Sequence, residues 1–203
     1  MSTTGEIVLV RHAETEWSRT GRHTGRTDIP LTDAGRAAAQ ALAGRLARWR
    51  FDLVLVSPSR RARETCELCG LGDLAQPREE LLEWDYGDYE GLTTDEILAR
   101  RAGWSLWRDG CPGGESAPQV GARADRVIAE LGALEGTTGS RPTVAVFSHG
   151  HMLRVLGARW IELAPGEGGR LGLGAGAISV LGHERSTAIL ASWNDAAAGP
   201  PAS

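Results

Sequence analysis

Lysine is absent from the 203 residues, so all 22 basic positions are arginine. Against 26 acidic residues they leave a formal net charge of −4, which argues against a general nucleic-acid binder. The plain reading of an all-arginine set is a biased base composition of the gene. The sharper one is a supply of guanidinium forks suited to carboxylate and phosphate. Cysteine is scarce, with three residues at 66, 69 and 111. That odd, small number excludes a disulfide framework and predicts a reducing, cytoplasmic setting. No stretch approaches the roughly 18 apolar residues of a membrane span. The N-terminal Met1 to Glu6 lacks a basic region, and Ile7 to Val10 is too short for the core of a signal peptide. What is present is globular: 41% hydrophobic and 24% charged residues. The length suits a single domain spanning 1–203, able to bury roughly 70% of its unfolded surface.

Three short apolar runs, Ile7 to Val10, Leu53 to Val56 and Val144 to Phe147, read as strands covered on both faces. Helical patterns alternate with them. Asp33 to Trp49 carries Ala38, Leu42, Leu46 and Trp49 at helical spacing, with Thr32 as N-cap. Ser59 to Leu68 reads as a second helix. Ala117 to Leu134 reads as a third, opened by a capping-box pattern of Ser116 and Gln119. Met152, Leu156, Trp160 and Leu163 mark a fourth stripe, and the runs Ala177 to Leu181 and Ala188 to Trp193 predict a hairpin. Alternating strands and helices predict a three-layer α/β/α sandwich with a mostly parallel central sheet. Residues 81–118, rich in Gly, Pro and Trp, read as a loop-rich insertion with one short helix at Thr94 to Arg101. The tail from Ala196 to Ser203 reads as frayed.

Each strand runs at once into polar groups. Val10 is followed by Arg11 and His12, Val56 by Ser57-Pro58-Ser59-Arg60-Arg61, and Phe147 by Ser148-His149-Gly150-His151. Ligands of open α/β sheets bind outside the carboxyl ends of the strands. If these strands are neighbours, two histidines and two arginines converge there. Helix N-termini near Ser59 and Gly150 add N–H donors. The set suits a phosphoryl dianion and needs no metal or other cofactor for its charge.

These residues also carry a resemblance. Leu9-Val10-Arg11-His12-Ala13-Glu14-Thr15-Glu16-Trp17-Ser18 resembles the Arg-His-Gly-Glu-Thr signature of the histidine phosphatase superfamily, which includes the cofactor-dependent phosphoglycerate mutases. Gly21 to Thr32, Ser57 to Thr65 (a Ser-Pro-x-x-Arg-Ala-x-x-Thr block), Glu83 to Thr93 and Ser148-His149-Gly150 are similar to its later segments, in order. The resemblance implies a phosphoglycerate mutase-like fold and a phosphohistidine on His12. Nearby Arg11 and Arg61 disfavour the imidazolium and keep that nucleophile neutral. Arg11, Arg61 and His149 would hold the equatorial oxygens. Glu83 would protonate the leaving oxygen and then activate water. It must therefore start protonated, which an approaching dianion favours. Ser18, Thr24, Gly25 and Tyr86 fall at substrate-binding positions, with Gly150 and His151 on the pocket wall. The implied partner is a small phosphorylated metabolite, and dimers are common in the superfamily. In the first motif Ala13 replaces Gly, which would be strained if the backbone needed a positive φ. That leaves room for a non-catalytic binder of phosphorylated ligands.

Two enzymatic outcomes share the phosphohistidine step. The mutases carry an insertion that supplies a Lys and an Arg pair. This chain has no Lys and only a short 93–118 segment, although Arg100-Arg101 stands there. The loop Tyr86-Gly87-Asp88-Tyr89-Glu90-Gly91 looks more like the branch of acid and sugar-bisphosphate phosphatases, which favours hydrolysis. Other candidates receive bland readings. Cys66-x-x-Cys69 reads as packing rather than a redox or zinc site, Arg60 as exposed, and His183 as a solvated turn residue. Trp49 and Trp160 read as core. Trp84, Trp104 and Trp107 are either pocket wall or lid packing. His23 stands in the loop before Thr24 and Gly25.

Overall fold

In the computed structural model, which describes residues 5–138 and 141–196, the apolar runs form strands β1 (Ile7–Arg11), β2 (Leu53–Val56) and β4 (Val144–Ser148). Between them lie α1 (Glu16–Arg19), α2 (Asp33–Leu46), α3 (Arg60–Leu68), a short strand β3 (Ala75–Pro77), α4 (Thr94–Arg100), α5 (Leu106–Asp109) and α6 (Ala117–Thr138). The chain continues through α7 (Gly150–Trp160) into the hairpin β5 (Ile178–Glu184) and β6 (Thr187–Asp195). The six strands are ordered β3-β2-β4-β1-β5-β6. The first four are parallel, and β5 runs antiparallel to both β1 and β6. The sheet is therefore mostly parallel, with helices on both faces.

The two faces follow from the period of a strand. Leu9, Leu55 and Val146 point into a larger core with Val120, Val127 and Leu131 of α6 and Leu153 and Leu156 of α7. Their neighbours Val8, Val10, Val54, Val56 and Phe147 point the other way, onto Leu42, Leu46, Ala62 and Cys66 of α2 and α3. Such strands must be apolar throughout because both faces are covered.

Several sequence readings are corrected here. The buried stripe of α2 is Gly35, Ala39, Leu42 and Leu46. Ala38 is exposed, and the helix ends before Trp49. Trp49 is half-buried and donates its Nε1–H to Glu6 at 2.6 Å. Leu163 lies beyond α7 and is exposed. His183 packs edge-on against Trp160 at 5.0 Å instead of standing in solvent. Gln119 does accept from the Ser116 backbone, but Ser116 Oγ donates to the same Oε1, so only half of a capping box forms. The edge strand β3 and the one-turn helices α1 and α5 are too short to leave a periodic signal. Of the frayed tail, all but Ala196 lies outside the described residues.

Candidate active site

Strand order makes the site. β4 lies between β2 and β1, so the three polar strand ends are adjacent. Arg11 is in register with Ser148, and the His12 N–H donates to Ser148 O at 2.9 Å. The His12 and His149 rings meet edge-on with centroids 5.2 Å apart. Around His12 opens a cleft of about 220 Å³. Its wall includes Arg11, Ser18, Thr24, Glu83, Tyr86, Gly150 and His151.

His12 is buried, and its Nδ1 lies 2.8 Å from the carbonyl oxygen of Ala13. A carbonyl only accepts, so Nδ1 carries the proton and Nε2 keeps a lone pair. Burial, then Arg61 and Arg11, hold the His12 pKa well below the ordinary 6.5. Desolvation and positive neighbours both oppose the imidazolium, so the ring stays neutral in mildly acid solution.

Arg11 donates to Leu173 O through Nη1 at 2.5 Å. Its Nε is buried and has no hydrogen-bond partner in the described structure. An orphaned guanidinium N–H is costly unless an acceptor fills its place. The side chain stacks against Gly150, where a Cβ would sit 3.3 Å from the guanidinium carbon.

Glu83 is held entirely by backbone. Oε1 accepts from the N–H groups of Trp84 and Met152, both at 2.9 Å, and Oε2 from that of His151 at 3.1 Å. Two of these donors form the N-terminus of α7, whose dipole favours a negative group. The expected phosphate-binding helix ends are thus revised. α7 spends His151 and Met152 N–H on Glu83, while the Arg60 N–H of α3 goes to Asp28 at 2.8 Å.

Arg61, His149 and Gly25 stand behind the residues that line the cleft. Arg61 is wholly buried and gives Nη2 to Thr24 O and Gly25 O (2.9 and 3.0 Å), Nη1 to Thr27 O (3.1 Å) and Nε to His149 Nδ1 (3.2 Å). That last bond fixes the His149 proton on Nε2, which faces Ser57 Oγ at 2.8 Å. Burial, then Arg61 and His12, push the His149 pKa well below 6.5. Gly25 gives its N–H to Glu90 at 2.9 Å, and a Cβ there would stand 2.7 Å from Trp84 O. These three residues brace the wall from behind.

Ala13 carries no strain. It is not among the residues with positive φ, and its methyl packs with Leu31 and Ala39 away from the cleft. Ser18 closes a capping box with Thr15. Trp84 and Trp104 donate their Nε1–H groups to Glu115 O and Gly110 O, so they pack the insertion instead of lining the cleft. Cys66 and Cys69 are free and buried, and burial pushes both thiols up to about 12. Among the described residues no cluster of three or more His, Cys, Asp or Glu side chains has the makings of a metal site. No helix among them is long and apolar enough to cross a membrane.

The sequence reading missed Arg22, Arg154 and Arg123. The first two line the cleft. Arg154 lies with its guanidinium 4.5 Å from the Trp107 ring. Its only sequence signal is a place one turn after Gly150, on the same helix face. Arg123 pairs with Glu115 at 2.8 Å and donates to the carbonyls of Glu80 and Leu82 (both 2.7 Å) and of Glu83 (3.3 Å). It thereby fixes the loop that presents Glu83. An arginine beside the apolar stripe of α6 was the available clue.

Comparisons with known proteins agree with this geometry. The chain is 42% identical over 187 residues to an acid phosphatase of Mycobacterium tuberculosis, covering 91% of this chain and 90% of that one. It is 36% identical to the sedoheptulose 1,7-bisphosphatase of Saccharomyces cerevisiae, covering 80% and 69%. A 2,3-bisphosphoglycerate-dependent phosphoglycerate mutase of Brucella ovis is 37% identical over 74% of this chain and 78% of its own. The solved structure of an open reading frame of Mycobacterium tuberculosis superposes with a TM-score of 0.87 at 39% identity, covering 94% and 97%. A profile of the histidine phosphatase superfamily (branch 1) matches residues 7–196. The paired histidines, the orphaned arginine and these matches lead to one assignment: the chain belongs to branch 1 of the histidine phosphatase superfamily and is an enzyme of the phosphatase class.

Proposed function

We propose that this protein is a metal-independent phosphatase of small phosphomonoesters, acting through a phosphohistidine on His12. One observation carries the reading. The Ala13 carbonyl holds the Nδ1 proton, leaving the Nε2 lone pair of a neutral imidazole in the same cleft as the unpartnered Nε of Arg11.

In the first step Nε2 forms a bond to phosphorus as the ester P–O bond breaks, and the leaving oxygen takes a proton from Glu83, which carries it because the incoming phosphate dianion opposes the carboxylate that the three backbone N–H groups otherwise favour. Arg11, with the Arg61 charge behind His12, stabilises the equatorial oxygens as charge moves onto them. In the second step the Glu83 carboxylate takes a proton from water, whose oxygen bonds phosphorus as the N–P bond breaks. Inorganic phosphate leaves, and His12 and Glu83 return to their starting states.

The matches to mutases favour a second reading, in which a substrate hydroxyl replaces water. The absence of lysine from the whole chain supports hydrolysis over that transfer. The relaxed backbone and outward methyl of Ala13 remove the main argument for a non-catalytic binder.

The test is hydrolysis of p-nitrophenyl phosphate and sugar phosphates at mildly acid pH in the presence of EDTA. His12→Ala is expected to lose about 10⁴-fold or more in kcat. Acid-labile label from phosphorylated substrate should be trapped on the wild type alone. Full activity in His12→Ala, or abolition by EDTA, overturns the proposal. Interconversion of 2- and 3-phosphoglycerate faster than phosphate release supports the mutase instead.

A further inference from the structure

Three aromatic side chains in the cleft take no part in the two chemical steps. His23, in the loop after α1, has Nδ1 2.9 Å from the carbonyl of Leu92, so Nδ1 donates to that carbonyl and Nε2 is the edge left open. His151, in the first turn of α7, has Nδ1 2.6 Å from the Tyr86 hydroxyl. Burial, then Glu83, pushes the Tyr86 phenol well above its ordinary 10. The phenol therefore keeps its proton, and its hydrogen bond with Nδ1 fixes the His151 ring with Nε2 as the open edge. Burial, followed by Arg154 and His23, keeps that ring neutral by holding its pKa well below 6.5.

No described residue pairs with Nε2 of His23 or of His151, neither atom is sealed from solvent, and both residues line the cleft. The two rings are parallel, with centroids 6.1 Å apart. Tyr86 meets both edge-on, at 4.8 and 5.8 Å, and fixes them relative to each other. The cleft thus holds two open imidazole nitrogens on a rigid aromatic support.

We propose that His23 and His151 form a hydroxyl-reading pair that selects phosphomonoesters whose leaving group is a polyol. A hydroxyl both donates and accepts, so neighbouring hydroxyls satisfy Nε2 of both rings whichever of them carries a proton. An alkyl group in the same place strips water from both nitrogens and returns nothing. Tyr86 acts here as a positioning residue, through the His151 ring that it holds.

The proposal rests on the phosphatase reading, and its test separates the two. The probes are glycerol 3-phosphate and n-propyl phosphate, which differ in two hydroxyls. Wild-type kcat/KM should favour the glycerol ester by about tenfold or more. His23→Phe should bring that ratio toward one, and Tyr86→Phe should lower it, with circular dichroism checking that each variant folds. Equal kcat/KM for the two esters in the wild type, or an unaltered ratio in folded His23→Phe, overturns the hydroxyl pair and leaves the phosphatase intact. Failure to cleave any ester overturns the phosphatase. Calorimetric affinities for the two uncleaved esters then decide the pair, unequal values supporting it and equal values overturning it.

Discussion

The same two central strands open onto a cavity at each end. At their carboxyl ends lies the cleft of about 220 Å³ around His12. At their amino ends lies a groove of about 200 Å³, walled by Ile7, Ile128, Leu131, Val144, Trp160 and Leu181, with Arg141 and His183 as its charged or titratable side chains. In size the two hardly differ, yet we place the chemistry in only the first. A strand buried on both faces must be apolar along its length, so polar groups concentrate where the chain leaves the sheet. In parallel strands all the exits lie on one side, and β2, β4 and β1 gather Arg61, His149, Arg11 and His12 there. At the amino ends β2 follows α2 and β4 follows α6, while β1 is the first described element, and no such set gathers there. Convergence of polar side chains, and not cavity volume, marks the site.

The largest effect that would sharpen this contrast is Glu83→Gln. The substitution removes the transferable proton and sets an amide N–H₂ against backbone donors. A loss of about 10²–10⁴ in kcat/KM is expected on an alkyl phosphate. The loss on p-nitrophenyl phosphate should be much smaller, because nitrophenolate leaves without a proton. Equal losses on both would dismiss Glu83 as the general acid.

A middle-sized effect concerns stability in acid. His12, His149 and His151 all have pKa values depressed below 6.5 in the folded protein. The unfolded chain therefore binds protons that the folded chain refuses. Stability is full above that ordinary value and is lost as pH falls from it toward the depressed ones. Each group contributes up to about 1.4 kcal/mol per pH unit within that window. The urea midpoint should fall between pH 7 and pH 5.5, and His149→Asn should flatten the slope. A midpoint that is level or rises over that range would contradict the buried neutral histidines.

The smallest effect on turnover should come from the opposite end. Leu131→Ala enlarges the groove and is expected to lower stability by about 2–5 kcal/mol. Its kcat/KM should stay within about twofold of the wild type at a temperature where it remains folded. A tenfold fall would show that the two ends are coupled, breaking the contrast.

The strands were legible because burial on both faces leaves no choice of residue type, and the long helices because their stripes repeat. The five ordered blocks around Arg11-His12, Gly21 to Thr32, Arg61, Glu83 and His149-Gly150 point to the family through residue order alone. Arg22 and Arg154 were not legible. Among 22 arginines, nothing in the local sequence separates one that lines a cleft from one that meets solvent. Arg123 was hidden for a related reason: besides Glu115, its partners are carbonyl oxygens 40 to 43 residues away, and every residue has one of those.

Periodicity and motif order are local properties of the chain, so residue order alone gave the layered fold and the family, and the proposed nucleophile and acid were named from the same motifs. Which groups line the cleft and which stand behind them depended on how the chain packs. Arg61 and His149 are recognisable in the sequence, yet their donors and acceptors meet protein partners. Arg11 alone among the cleft cations keeps a buried nitrogen unpaired. The proton position of His12 and the open edges of His23 and His151 were settled the same way, by a carbonyl or a phenol brought to each ring in the folded chain. A hydrogen bond depends on distances of a few tenths of an ångström, and residue order does not set such distances until the chain has packed.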